Sequence, residues 1–395
     1  MNPNLDRLQP YPFSKLRTLI AGIQPASDKS LINLSVGEPQ HPVPDFVADV
    51  VAAQISKLNR YPTSRGSDRL REAIAQWILR RNPTLKSIDP ATEILPVSGT
   101  REALFSFAQA TLDQHQSGAL VGMPNPFYQI YEGAALMAGC QPRYINCTAN
   151  TQYAPDFQAL TTADWQAMQL LYLCNPHNPT GYTLSLTELT YLIEKAQQHN
   201  VILASDECYS EIYLNEHKVP ISLLTACESL CLDDFRQCVV FNSLSKRSSL
   251  AGLRSGFVAG DARIIAAYSH YRTYHGCTLS PIADAVSTAA WSDETHARHN
   301  RERYQAKLIQ ALNTLQPFTT LPTPQGGFCL WLPTPIDDER FTQQLLETQN
   351  VLVLPGQYLA RSAYGENPGK HHVRLALVAK ASHCASAIER LCTQL

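Results

Sequence analysis

The sequence predicts an α/β fold with two parts: a large part built on a mostly parallel sheet between helical layers, and a smaller α+β part. Three observations point there. Apolar runs of strand length at 170–174, 201–204 and 238–241 each end in polar or glycine-rich turns. Between the first two lies 186–200, whose Leu189, Tyr191, Leu192 and Ala196 share one helix face. The last third changes character, from a basic helical stretch at 295–315 through Gly326-Gly327-Phe328 to apolar runs at 351–354 and 373–377.

Taken in order, Ile94-Leu95 predicts a strand and 103–110 a helix, with Ser98-Gly99-Thr100-Arg101 between them. Residues 119–122 predict the next strand, followed by Asn125-Pro126-Phe127-Tyr128. The runs at 170–174, 201–204 and 238–241 lead directly into Asn175-Pro176-His177-Asn178-Pro179-Thr180-Gly181, Asp206-Glu207-Cys208-Tyr209 and Asn242-Ser243-Leu244-Ser245-Lys246. Sheets of this kind bind ligands beyond the carboxyl ends of their strands, where these motifs fall. In the smaller part, 339–348 reads as an amphipathic helix.

With 395 residues the chain is long enough for two lobes, and a charged fraction of 17% beside 44% hydrophobic residues fits a folded enzyme. A net charge of −2 gives no basic field for nucleic acid or an anionic membrane. No apolar run approaches the roughly 20 residues that span a bilayer, and the opening Met1-Asn2-Pro3-Asn4 has no apolar signal core. The eleven cysteines never fall at Cys-x-x-Cys spacing, which favours free thiols in a reducing cytoplasm over disulfides or zinc. His371-His372 has no partners at ligand spacing, so no metal is expected.

Lys246 carries the most chemistry. An amine in a cleft, beside serine hydroxyls and near Arg254 in Ala251-Gly252-Leu253-Arg254-Ser255-Gly256, can lose its proton and attack a carbonyl. Ser-x-x-Lys also opens penicillin-binding sites, but those need a downstream Ser-Asp-Asn and Lys-Thr-Gly, which are absent. Read bare, Lys246 could be a surface lysine, Ser98 a helix cap and Asp206 another cap.

Together these motifs resemble class I/II aminotransferases, which carry pyridoxal 5'-phosphate on the type I transferase fold. The resemblance runs from Val36-Gly37 to Arg374 with every motif in the family's order, and the stretch 175–181 matches the family's Asn-Pro-x-Asn-Pro-Thr-Gly signature. It implies a large domain over 42–285 and a discontinuous small domain over 1–41 and 286–395. It also implies that Lys246 carries the cofactor and that Asp206 faces the pyridine nitrogen, keeping it protonated. Asn178 and Tyr209 would meet the ring oxygen, and Tyr128 would stack on the ring, with Phe127 and Tyr131 as alternatives. Ser98, Gly99, Thr100, Ser243, Ser245 and Arg254 would hold the phosphate, with Tyr61 reaching in from the neighbouring subunit of a homodimer. Arg374 and Gly37, with Asn178, would take the substrate's α-carboxylate.

The stretch Leu5-Asp6-Arg7-Leu8-Gln9-Pro10-Tyr11-Pro12-Phe13-Ser14-Lys15-Leu16-Arg17 resembles the start of bacterial succinyldiaminopimelate aminotransferases. That implies transfer of an amino group from N-succinyl-LL-2,6-diaminopimelate to 2-oxoglutarate in lysine biosynthesis. The aligned position for a second, side-chain-binding arginine, near Ser280, is not basic, which counts against a dedicated aspartate enzyme. An aspartate or aromatic aminotransferase is the alternative, and a lyase of the same fold a second one. A DNA-binding regulator would need a further basic segment that the sequence lacks.

Overall fold

The structure, a computed structural model, describes all 395 residues. Its strands are β1 (Ile32–Asn33), β2 (Ile94–Val97), β3 (Leu120–Asn125), β4 (Gln141–Asn146), β5 (Met168–Cys174) and β6 (Ile202–Asp206). They continue with β7 (Cys238–Ser243), β8 (Gly256–Gly260), β9 (Cys329–Pro333), β10 (Val351–Leu352), β11 (Leu354–Pro355) and β12 (His372–Ala376).

Seven strands form the large sheet in the order β2-β8-β7-β6-β5-β3-β4. All neighbours pair in parallel except β8, which runs antiparallel to both β2 and β7. Period-two alternation sends the side chains of one strand to two cores. Leu171 and Leu173 of β5 face a core with Leu203, Val240 and the helices Asp68–Arg81, Leu186–His199 and Pro281–Ser292. Leu170 and Tyr172 face the opposite core, with Val239, Phe241 and the helices Thr100–Thr111, Gln129–Met137 and Ala262–His275. A strand covered on both faces reads as an unbroken apolar run, which is why these were visible in the sequence.

Local signals set the helix ends. Helix Leu186–His199 starts on a capping box between Ser185 and Glu188 and stops at Asn200, which takes the left-handed conformation with φ of 57°.

The smaller part holds the antiparallel sheet β11-β12-β9 and the parallel pair β1-β10. Its core joins Leu330, Val373 and Leu375 to helices Thr295–Leu315, Asp338–Gln349 and Ala381–Cys392. The run 351–354 is not one strand. It divides at Val353 into β10 and β11, which belong to different sheets. Position 285, the expected end of the large part, falls inside helix Pro281–Ser292, whose Val286, Ala290 and Trp291 pack in the large core. The first turn, Pro3–Arg7, sits against the large part, with Arg7 Nη2 donating to the Cys140 carbonyl at 3.2 Å.

Candidate active site

The parallel strands deliver their motifs to one edge. Beyond the ends of β3, β5, β6 and β7, and under the smaller part, opens a cleft of about 600 Å³. Gly37, Thr100, Tyr128, Asn178, Asp206, Tyr209, Ser245, Lys246, Arg254 and Arg374 all line it, brought from positions more than 300 residues apart.

Lys246 sits on the short helix Leu244–Arg247 that follows β7. Its Nζ donates to the Gly37 carbonyl at 2.5 Å and lies 5.3 Å from the Phe328 ring centroid. Burial lowers its pKa to about 8, because a low-dielectric site disfavours the ammonium. Asp206 closes β6. It accepts from the Tyr131 hydroxyl at 2.8 Å and the Cys208 N–H at 3.2 Å, and burial raises its pKa.

The 175–181 turn is welded in place by His177. Its Nε2 donates to the Pro126 carbonyl at 2.9 Å, so Nδ1 accepts from the Thr180 hydroxyl at 2.8 Å. Burial pushes its pKa down to about 4, keeping it neutral. The turn aims Asn178 inward, where its Oδ1 accepts from Arg374 Nη1 at 3.4 Å.

Arg374 projects from β12, with Nη2 donating to the Ser35 carbonyl at 2.7 Å. It is buried, pairs with no carboxylate, and its Nε has no partner at all. A buried cation left this way is costly unless an anion joins it.

At the cleft's other end, helix Thr100–Thr111 begins with free N–H groups, because its cap, Gly99, offers no side chain. A Cβ on Gly99 would stand 2.5 Å from Arg254 Nη2, and its φ of 85° is left-handed, so only glycine fits this cradle.

Not every expected residue faces the cleft. The Ser98 hydroxyl turns away to the Thr278 carbonyl at 3.3 Å. Ser243 is buried inside the turn, capping the Ser245 N–H at 3.0 Å. Phe127 packs on Tyr144 and Tyr131 stacks on Tyr172, which leaves Tyr128 as the half-buried ring at the cleft wall. Tyr61 lies outside the cleft and is fully exposed, and Ile55 and Leu58, in the turn that precedes it in sequence, are exposed as well.

Residues that sequence reasoning missed are Tyr131 as the donor to Asp206, Phe328 over Lys246, and Cys208, whose Sγ is 2.9 Å from the Thr100 hydroxyl. The sequence marks Tyr131 only as an alternative ring plate and Cys208 only as part of the Asp206 motif, and the glycines before Phe328 are its one signal.

The cleft therefore presents a buried carboxylate without a cation, a buried guanidinium without an anion, and an uncapped helix start beside Arg254. A protonated pyridine, a substrate carboxylate and a phosphate fit these in turn. The family profile described as aminotransferase class I and II matches residues 29–395. The chain belongs to the class I and II aminotransferases.

As an aminotransferase it is a pyridoxal phosphate-dependent enzyme. It is 34% identical to a probable aminotransferase of Mycobacterium tuberculosis, over 94% of this chain and 82% of that one. It is 27% identical to an LL-diaminopimelate aminotransferase of Maridesulfovibrio salexigens, over 98% and 97% of the two chains. An aminotransferase from Neisseria meningitidis superposes with a TM-score of 0.95 at 40% identity, covering 100% of this chain and 99% of that one.

Proposed function

We propose that this aminotransferase moves an amino group from N-succinyl-LL-2,6-diaminopimelate to 2-oxoglutarate, in the lysine branch of amino-acid biosynthesis, as a cytoplasmic homodimer. The observation that carries an amino acid as donor is Arg374, a buried fork with no acid of its own, suited to one α-carboxylate. The long substrate is supported by the cleft's volume of about 600 Å³ and by Tyr11, Pro12 and Phe13 at its rim. Ser280 serves as the cap of helix Pro281–Ser292, so no second clamp stands there.

Bound pyridoxal phosphate supplies an aldehyde to link to amines and a ring that withdraws electrons from the substrate's Cα. Lys246 holds it and, as a neutral amine, moves a proton at Cα. The Asp206 carboxylate holds the proton on the ring nitrogen, and Tyr131 keeps that carboxylate oriented. Asn178, with Oδ1 turned to Arg374, has its amide N–H free for the ring oxygen, beside Tyr209. Tyr128 fixes the plane of the ring. The backbone at Ser98, Gly99 and Thr100, the Ser245 hydroxyl and Arg254 hold the phosphate, with Ser243 bracing the turn. Tyr61 reaches the partner's phosphate, consistent with its full exposure in one chain. Gly37 and Arg374 bind the α-carboxylate.

The relatives acting on LL-diaminopimelate support a second reading, in which the donor is not acylated. Comparing kcat/KM for succinylated and free diaminopimelate, aspartate and tyrosine, with glutamate formation as readout, tests the proposal. It fails if any unacylated donor wins by about tenfold, or about 1.4 kcal/mol.

A further inference from the structure

The cleft holds one more cation that nothing in the chain neutralises. Arg101 is the second residue of helix Thr100–Thr111, where positive charge opposes the helix dipole. Arg263 occupies the same place in helix Ala262–His275 and is neutralised by Asp261 at 2.8 Å. Arg101 has no such partner. Its guanidinium is held instead by two phenols, Nε donating to the Tyr128 hydroxyl at 2.7 Å and Nη2 to the Tyr11 hydroxyl at 3.3 Å. A phenol orients a guanidinium without cancelling its charge. Three separate segments thus fix one exposed cation on the cleft wall: the rim at Tyr11, the ring plate at Tyr128 and the helix start. Nη1 makes no hydrogen bond and faces no acid.

We propose that Arg101 is a specificity-determining residue that receives the carboxylate at the far end of the substrate's side chain. This rests on the substrate reading above and names the anchor for the succinyl group. Arg374 takes the α-carboxylate, Arg101 the distal one, and the plane of the second fork is set by Tyr11 and Tyr128. The chain thereby meets the need for a second clamp from the phosphate-binding helix and not from the Ser280 position.

The test follows a single half-reaction of the holoenzyme by its cofactor absorbance, in wild type, R101Q and R101K. Two donor pairs are used, each differing in the succinyl carboxylate alone: N-succinyl against N-butyryl diaminopimelate, and N6-succinyl-lysine against N6-butyryl-lysine. In R101Q, kcat/KM should fall about 10- to 100-fold more for the member of each pair that bears the distal carboxylate. R101K, which keeps a point charge but not the fork, should fall between. Equal losses within each pair, or cofactor released on gel filtration, would place Arg101 on the cofactor or in the scaffold and overturn the proposal. A wild type that prefers aspartate to the succinylated donor would overturn the substrate reading alone. The succinyl-lysine and butyryl-lysine pair in R101Q then still decides the arginine.

Discussion

Lys246 and Arg247 are neighbours on one short helix, yet their surroundings are opposite. Arg247 points away from the cleft with its side chain wholly enclosed. It donates to the Ala290 carbonyl at 2.8 Å, the Asp293 carbonyl at 3.1 Å and Glu294 Oε1 at 2.7 Å. The Trp77 and Trp291 rings flank its guanidinium at 5.7 and 5.1 Å. Lys246 has one carbonyl contact and no acid within ion-pair distance. Arg374 resembles Lys246 in this respect. Arg247, paired with an acid, holds the scaffold, whereas Lys246 and Arg374 meet no acid and face the cleft, so charge pairing is what separates these three cations.

Breaking the ligand side gives the largest effect. Lys246→Ala should lower transamination by roughly 10⁴-fold while the thermal midpoint holds, checked by single-turnover absorbance and calorimetry. Near-normal turnover would end the assignment of Lys246.

On the scaffold side, Arg247→Met should cost about 3 kcal/mol of unfolding free energy, read from denaturant curves. The folded fraction should keep its turnover within a few-fold. A variant as stable as wild type would show that this pairing contributes little.

Arg374→Gln sharpens the contrast, since it removes a buried cation that lacks an anion. Its kcat/KM for every amino-acid donor should fall about 100-fold. The substrate-free protein should become more stable, as seen in its melting curve.

The narrowest effect, confined to one pH window, is a pH dependence of stability. In the cofactor-free protein, the Lys246 pKa is lowered from 10.5 to about 8 by burial. The folded state therefore binds that proton less tightly than the unfolded state. The resulting destabilisation is full below about pH 8 and fades as pH rises towards 10.5. Lys246→Met should be more stable than wild type at pH 7, with the gap closing by pH 10.5. A gap constant across that range would place the effect in packing.

The elements that the sequence made plain are those governed by local rules. Helix 295–315 begins and ends where the periodicity put it, and the strands covered on both faces stood out as apolar runs. β8 did not stand out because Gly256 and Gly260 bracket an apolar run of only three residues, Phe257-Val258-Ala259. The two end residues are glycines because a Cβ at either would collide with a backbone carbonyl of β7, that of Asn242 or Cys238. The motif residues were legible by kind and spacing. What spacing could not show was orientation: the Ser98 hydroxyl turned to Thr278, Tyr131 reaching Asp206 from 75 positions away, Arg101 poised between two phenols. Those contacts depend on the packing of whole elements, and no local pattern encodes them.

The pairing of β1 with β10 joins Ile32 to Val351 and Asn33 to Leu352. During synthesis, β1 has no partner until more than 300 further residues have been made. At about 5–20 residues per second, that wait lasts tens of seconds, time enough for the large sheet to form first. Gly37 lies just beyond β1 and Arg374 beyond β10, so the carboxylate end of the cleft is completed last. A nascent chain can therefore present a folded cofactor platform before it can grip an amino acid. Ribosome-bound chains halted before β10 should be well ordered in the large part and still unable to turn over.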